Sequence, residues 1–395
     1  MIIFSKPARP HFAALACGVA VAICGSAFAQ AVPDLTQAPR LGPWGFDLTG
    51  RDTRVQPGDD FYRSVAGGWT ERMAIPADRT RWGSFDELRE LSDARARAVI
   101  EKAANDRAAR GEAAQIGAFY RSFMDEAAIE RLDVRPIASD LADVRAARTH
   151  EQIGTLMGKV PSSVHSAFFT PFIADDQRAP DRYAVYLNQS GLGLPDRDYY
   201  LDARFAPQKA AYQAYIAKQL KAIEWPDAEA KASEIVALET EIARVSWTRA
   251  EQRDDVKMYN ATPVADLPKL APGFPWPAYL KAANLGGVQR VVVSEVTAFP
   301  KIADIFAKTP VPTLQAWMAF RVVDNASPYL SKRFVDANFD FRSKTLSGQP
   351  EQRARWKRGV TTVGANLGEA IGKLYVEAYF PAQSKAQMET LVANL

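Results

Sequence analysis

Histidine, the residue most often found at catalytic metals and proton relays, occurs three times in this 395-residue chain, at His11, His150 and His165. A catalytic zinc ion takes three protein ligands and keeps a fourth position for water. The motif H-E-x-x-H supplies two of those ligands from one helical face, with the glutamate as base. The run His150-Glu151-Gln152-Ile153-Gly154 has the first histidine and the glutamate, but Gly154 stands where the second histidine is needed. Glycine has no side chain to ligate with. The run reads instead as a helix start, capped by Thr149, with His150 in an exposed first turn. His165 reads as a half-buried structural histidine. No G-x-S-x-G elbow supports a serine nucleophile. The acidic pairs Asp175-Asp176 and Asp254-Asp255 read as solvated loop or cap residues. A glycosidase-type acid pair stays open, because carboxylate separation in space does not follow from sequence spacing. The residues therefore predict no catalytic side chain and no metal ligand.

The N-terminus predicts export. Lys6 and Arg9 precede an apolar run from Phe12 to Cys24, and Ala27-Phe28-Ala29 follows with small residues at the cleavage-reading positions. That order is a secretory signal peptide, residues 1–29, cut after Ala29. The run is too short for a stable membrane span. A lipidated cysteine is the rival reading, weakened because no long apolar run precedes Cys17 and bulky Ile23 precedes Cys24. A periplasmic or extracellular location is expected. Cleavage removes the only two cysteines, Cys17 and Cys24, so packing rather than disulfides must hold the mature chain. A net charge of +3, with acids and bases interspersed, leaves no basic stripe, and nucleic acid is excluded as a partner.

After a lead-in at residues 30–52, helical periodicity dominates. Leu88, Leu91, Ala98 and Val99 mark one stripe, opened by a capping box at Ser84 and Glu87. Ile116, Phe119, Tyr120 and Phe123 mark a second, and Ile235, Leu238, Ile242 and Val245 a third. A long stripe runs through Trp356, Val360, Val363, Leu367, Ile371 and Leu374. Residues 167–189 read as a β-hairpin whose long loop spans Asp175 to Pro180. Gly191-Leu192-Gly193 reads as a tight loop leaving that hairpin, since no βαβ context supports a dinucleotide fingerprint. The run "VVVSEV", Val291 to Val296, reads as a short strand. Ser384 and Gln387 suggest a last capping box, with Met388, Leu391, Val392 and Leu395 as its apolar face. The sequence stops there in mid-pattern, which predicts that the native protein continues.

The stretch from Asp59 to Glu90, "DDFYRSVAGGWTERMAIPADRTRWGSFDELRE", closely resembles the N-terminal signature of the neprilysin and endothelin-converting-enzyme family of zinc metallopeptidases. The resemblance continues through "IGAFYRSFMDEAAIE", "YLNQSGLGLPDRDYY", "LETEIARVSW", "DVKMYN" and "LGEAIGKLYVEAYFPAQSKAQMETLVANL". It implies a mainly α fold, a multi-helix lobe over residues 53–395 with the small hairpin, forming the lid of a peptide-admitting chamber. It also implies peptide substrates and a zinc ion (Zn2+) held in the complete enzyme by a C-terminal catalytic half that does not appear here. It implies substrate-binding roles for Arg81, gripping the peptide's C-terminal side, and for Asp86, shaping that subsite. Trp69, Trp82 and Phe85 would fix the loop. Many animal members have cysteine where Ala66 stands, so their disulfide scheme does not transfer. The alternative is a secreted non-catalytic helical module that binds peptides. The reading frame beyond Leu395 distinguishes the two.

Overall fold

A computed structural model describes residues 34–38, 47–160 and 164–395. The predicted signal peptide and most of the lead-in lie outside the described residues. The fold is mainly α with one small sheet, as the sequence implied.

Two hydrophobic cores organise it. The smaller joins three helices: α2 (Ser84–Asn105), preceded by α1 (Phe61–Arg72), then α3 (Gly111–Met124), and the distant α15 (Arg355–Tyr379). Ile100, Ile116, Tyr120, Val360, Val363 and Ile371 meet at its centre. The larger core takes the chain between, from α4 (Glu126–Leu132), α5 (Ala138–Ala146) and α6 (His150–Gly158) to α14 (Lys332–Asn338). Its axis is α13 (Val311–Ala326), which Leu314, Trp317, Met318, Phe320 and Val323 line with fully buried side chains. Around α13 pack α7 (Asp198–Leu201), α8 (Ala206–Ala222), α9 (Ala228–Val245) and α12 (Phe299–Lys308), with α10 (Leu267–Leu270) and α11 (Trp276–Ala282) beside them. The last helix, α16, spans Ala382–Ala393.

The sheet runs β1-β2-β4-β3. Strands β1 (Phe169–Asp176) and β2 (Ala179–Gln189) form the expected hairpin. Strand β4 (Arg290–Val293), the expected short strand, lies parallel to β2. Strand β3 (Asn260–Pro263) pairs antiparallel with β4 and was not foreseen. Four residues are too few to show alternation.

The long hairpin loop is corrected. Asp176 pairs with Ala179, so the turn is only Gln177-Arg178. Asp176 is also not a solvated acid but a buried one. Its carboxylate accepts from Tyr259 Oη (2.6 Å), the Arg178 backbone N–H (3.1 Å) and the Arg290 guanidinium. These donors draw the tip tight and tie it to β3 and β4.

Both expected capping boxes are also corrected. Ser84 is the first helical residue of α2. Gly83 is its N-cap, and no side chain caps there. Gly83 offers its carbonyl to the N–H groups of Asp86 (2.8 Å) and Glu87 (3.0 Å). The first turn of α2 stands clear of the core, which leaves Leu88 53% exposed. Helix α16 starts at Ala382 behind Pro381, whose fixed φ suits a helix entry. Its apolar face, Met388, Leu391 and Val392, is exposed.

A buried carboxylate sits at the middle of the larger core. Glu239 accepts from Tyr200 Oη (2.6 Å), Trp317 Nε1 (2.9 Å), Tyr212 Oη (3.2 Å) and the Gly193 N–H (3.2 Å). Burial pushes its pKa up, opposed by Arg321 and these donors. The loop Gly191-Leu192-Gly193 is the tight exit from the hairpin that the sequence predicted. A Cβ on Gly193 would fall 1.7 Å from Tyr212 Oη, so only glycine lets the loop close on this hub.

Two outcomes follow from these buried acids. Trp317→Phe removes a donor from Glu239 and leaves a gap, and should lower stability by about 2–4 kcal/mol in urea unfolding. Tyr259, Arg290 and the Arg178 N–H hold the Asp176 carboxyl at about 2, against 3.8 for the free group. Its contribution is therefore fully present above pH 3.8 and is lost as pH falls through about 2. Melting temperature should drop more steeply across that window in the native chain than in Asp176→Asn.

Candidate functional site

The segment from Ile75 to Glu90 links α1 to α2 without regular structure until Ser84. Charge pairs fix it. Arg79 folds inward, its side chain 10% exposed. Its guanidinium pairs with Glu90, stands 3.9 Å from Asp86 Oδ1 and lies over the Trp82 ring at 5.4 Å. Lys357, from the first turn of α15, reaches Asp78 (3.2 Å) and Glu90 (3.1 Å). The Glu351 N–H donates to the Ala77 carbonyl (3.0 Å), and Arg353 pairs with Asp93 (3.0 Å). Burial alone would raise Glu90, but Arg79 and Lys357 outweigh it and hold its carboxyl below the usual range.

The structure brings Arg81 and Asp86 together. Arg81 Nε lies 3.7 Å from Asp86 Oδ1, the oxygen that also faces Arg79. The two ends of the pair differ sharply in environment. Asp86 is buried, whereas the Arg81 side chain is 78% exposed. A buried acid thus steers the stem of an outward-reaching guanidinium, whose terminal nitrogens stay open to solvent. That geometry suits bidentate capture of a carboxylate, because the planar fork is always charged.

Trp82 is half-buried beneath the Arg79 guanidinium, whereas Trp69 is half-buried on α1 beside Gly50. Phe85 is not part of the segment's support. It is 86% exposed on the first turn of α2, because that turn buries its Asp86 face instead. Residues missed by the sequence reading are Asp78, Arg79, Glu90 and Lys357. One signal was present: Asp86 and Glu90, four apart, place two carboxylates on one face of α2. The partner from α15 left no local trace.

The histidines take structural places. Thr149 caps α6 as expected, accepting from the Gln152 N–H (3.2 Å). His150 is half-buried rather than exposed. Its Nε2 lies 2.9 Å from the Thr309 carbonyl, and its ring meets Phe306 edge-on at 5.3 Å. His165 is fully rather than half buried, with Nδ1 3.6 Å from Asp140 Oδ1. Burial pushes its pKa down, against the pull of Asp140. At Gly154, a Cβ would fall 2.2 Å from Pro275 Cγ, so α6 has no room for a second histidine. Among the described residues, no three His, Cys, Asp or Glu side chains gather as metal ligands, and the set does not fit a zinc ion. No described helix is long and apolar enough to cross a membrane.

The chain is 29% identical over 367 residues to endothelin-converting enzyme-like 1 of Rattus norvegicus, covering 87% of this chain and 46% of that protein. It is 27% identical over 364 residues to endothelin-converting enzyme 1 of Homo sapiens, covering 88% and 47%. Among solved structures, the Mycobacterium tuberculosis zinc metalloprotease Zmp1 in complex with inhibitor superposes with a TM-score of 0.83 at 32% identity. That match covers 88% of this chain and 53% of Zmp1. The chain thus spans about half the length of the relatives it matches. The family model described as "Peptidase family M13" matches residues 57–395, from just before α1 through the Arg79–Asp86 segment to the end of α16. On that match the chain belongs to peptidase family M13, as its N-terminal region.

Proposed function

We propose that this chain is the substrate-enclosing part of an exported zinc metalloendopeptidase, and that Arg81 grips the C-terminal side of a bound peptide. The observation that carries the reading is the contrast within one ion pair: an exposed guanidinium steered by a buried carboxylate. Arg79, two residues before it, is buried and pairs with Glu90 and Asp86. Export is supported by the order of charged, apolar and small residues over positions 1–29. Zinc dependence comes from the family. No hydrolytic step is assigned to the described residues, because none of them forms a ligand set. The partner supplying that chemistry is the C-terminal half present in the relatives, whose length this chain covers only in part.

Two measurements test the reading. Fluorescence anisotropy compares a labelled peptide carrying a free C-terminal carboxylate with its amide. Arg81→Ala should weaken binding of the free acid by about tenfold, on the order of 1.4 kcal/mol, and leave the amide unchanged. Arg81→Lys should recover only part of the loss, since a point charge does not reproduce the fork. Equal affinities for acid and amide in the native chain would remove Arg81 from the site. The second measurement is peptide hydrolysis by the purified chain with added zinc. No turnover is expected, and chelator-sensitive cleavage would overturn the division of labour.

A further inference from the structure

Strand β1 is one edge of the sheet, with β2 its only neighbour. An edge strand points alternate backbone groups away from its partner, and such groups are usually covered or blunted. Two bonds show which residues of β1 point outward. The Ser190 N–H donates to the Phe168 carbonyl (2.8 Å). With Phe169 opposite Gln189, the residues of β1 that bond to β2 are then Thr170, Phe172 and Ala174. The Ser294 N–H donates to the Leu187 carbonyl (3.0 Å), which turns the odd-numbered residues of β2 toward β4 and agrees. Phe169, Pro171, Ile173 and Asp175 therefore direct their backbone groups off the sheet.

This outward row is used at both ends. The Phe169 carbonyl accepts from Tyr279 Oη (2.5 Å). At the tip, Tyr186 Oη donates to the Asp175 carbonyl (2.9 Å) and accepts from the Gln177 N–H (3.2 Å). Pro171 has no N–H to offer. The groups between are the Pro171 carbonyl, the N–H and carbonyl of Ile173, and the Asp175 N–H, and these have no partner among the described residues. They are open to solvent. Ile173 is 66% exposed, and Phe172 and Asp175 beside it are exposed as well.

We propose that this edge pairs with the same edge of a second copy of the chain, antiparallel about a two-fold axis at Ile173. The pattern is its own complement. Ile173 lies opposite the second copy's Ile173, and each N–H donates to the other's carbonyl. Two residues along, each Asp175 N–H meets the other copy's Pro171 carbonyl. The interface thus closes four backbone bonds. The N–H that Pro171 lacks would face the Asp175 carbonyl that Tyr186 already occupies, so no group is stranded. Moving the axis to Phe172 or Ala174 halves the number of bonds, so the register is specified. Asp175 sits opposite Pro171, so no like charges meet across the pair. The two exposed Ile173 side chains lie together and leave water. A self-complementary edge closes on itself and stops at two copies. The contact is small for a permanent assembly, so the dimer depends on concentration. It does not rest on the Arg81 grip.

The test uses the full chain with Cys17→Ser and Cys24→Ser, so that no native thiol intervenes. Sedimentation velocity over a concentration series should show monomer passing to dimer and nothing larger. Ile173→Pro removes the outward N–H and no bond to β2. It should weaken dimerisation at least about tenfold with a native melting temperature. Ile173→Lys sets two ammonium groups side by side at the axis and should do the same, and it decides the matter if Ile173→Pro does not fold. Oxidation of Ile173→Cys should give a disulfide-linked dimer, because directly paired Cα atoms stand about 5.5 Å apart. Asp175→Cys should not, because the register sets its two copies four residues apart, about 14 Å. A native chain that stays monomeric at every concentration overturns the proposal, whether or not the edge takes up an extended peptide instead. Unchanged dimerisation in a folded Ile173→Lys, or equal cross-linking at 173 and 175, puts the contact elsewhere and overturns it too.

Discussion

One ammonium group ties the two ends of this region together. Lys357 enters from α15 and settles between Asp78 and Glu90, 279 and 267 residues away along the chain. Isolated surface ion pairs contribute little, because water screens them and both side chains lose freedom. This one differs in two respects. Its members are mostly shielded, with side-chain exposures of 17%, 20% and 29%. It is also one link in a chain of contacts: Lys357 to Glu90, Glu90 to Arg79, Arg79 to Asp86, Asp86 to Arg81. Each link fixes the next, so the direction of an exposed guanidinium on the 75–90 segment is set by a helix from the far end of the sequence.

The segment can be held this way only because the bodies behind it are rigid. In the smaller core, α2 and α3 are clamped by α15 through Ile100, Ile116, Val360 and Val363. In the larger, Glu239 gathers donors from α7, α8, α13 and the Gly193 loop around one carboxylate. A buried carboxylate is a poor source of net stability, since its desolvation offsets most of what its partners return. It does enforce a single arrangement: any shift among these elements strands a charge with fewer donors. The polar centre thus specifies the packing, and the apolar residues around α13 stabilise it.

Much of this was legible in the sequence, and the failures share one cause. The stripes through Ile116–Phe123, Ile235–Val245 and Trp356–Leu374 became buried helical faces because a 3.6-residue period is a local property. The hairpin and the β4 strand were legible from their apolar, β-branched runs. The loop length was not, because the donors that tighten it on Asp176 stand 83 and 114 residues away. His150 looked exposed because its partner, the Thr309 carbonyl, lies 159 residues away along the chain. Ser84 resembled a cap because its neighbours fit the pattern, yet Gly83 carries the extended backbone that a cap position needs. At the site, Arg81 and Asp86 came from a family resemblance, and their proximity is now a matter of geometry. Arg79 and Lys357 had no such signature. Charge partners across the fold leave no periodic imprint.

Arg79 and Arg81 show how partnership separates a buried arginine from an exposed one. They lie two residues apart in an irregular segment, yet their side chains are 10% and 78% exposed. One turns toward Glu90 and Trp82 and is consumed there. The other shares only the edge of Asp86 and keeps its fork in water. Asp78, Asp86 and Glu90 match Arg79, Arg81 and Lys357 in number, so the cluster is neutral overall while its positive end faces outward. Neutrality keeps the segment folded in the absence of a ligand, and the asymmetry leaves attraction for an anion. A cluster with excess positive charge would repel itself, and one whose arginines were all buried would have nothing left to offer. Arg81 is the arginine that the fold orients without enclosing, with the buried Asp86 carboxylate 3.7 Å from its Nε.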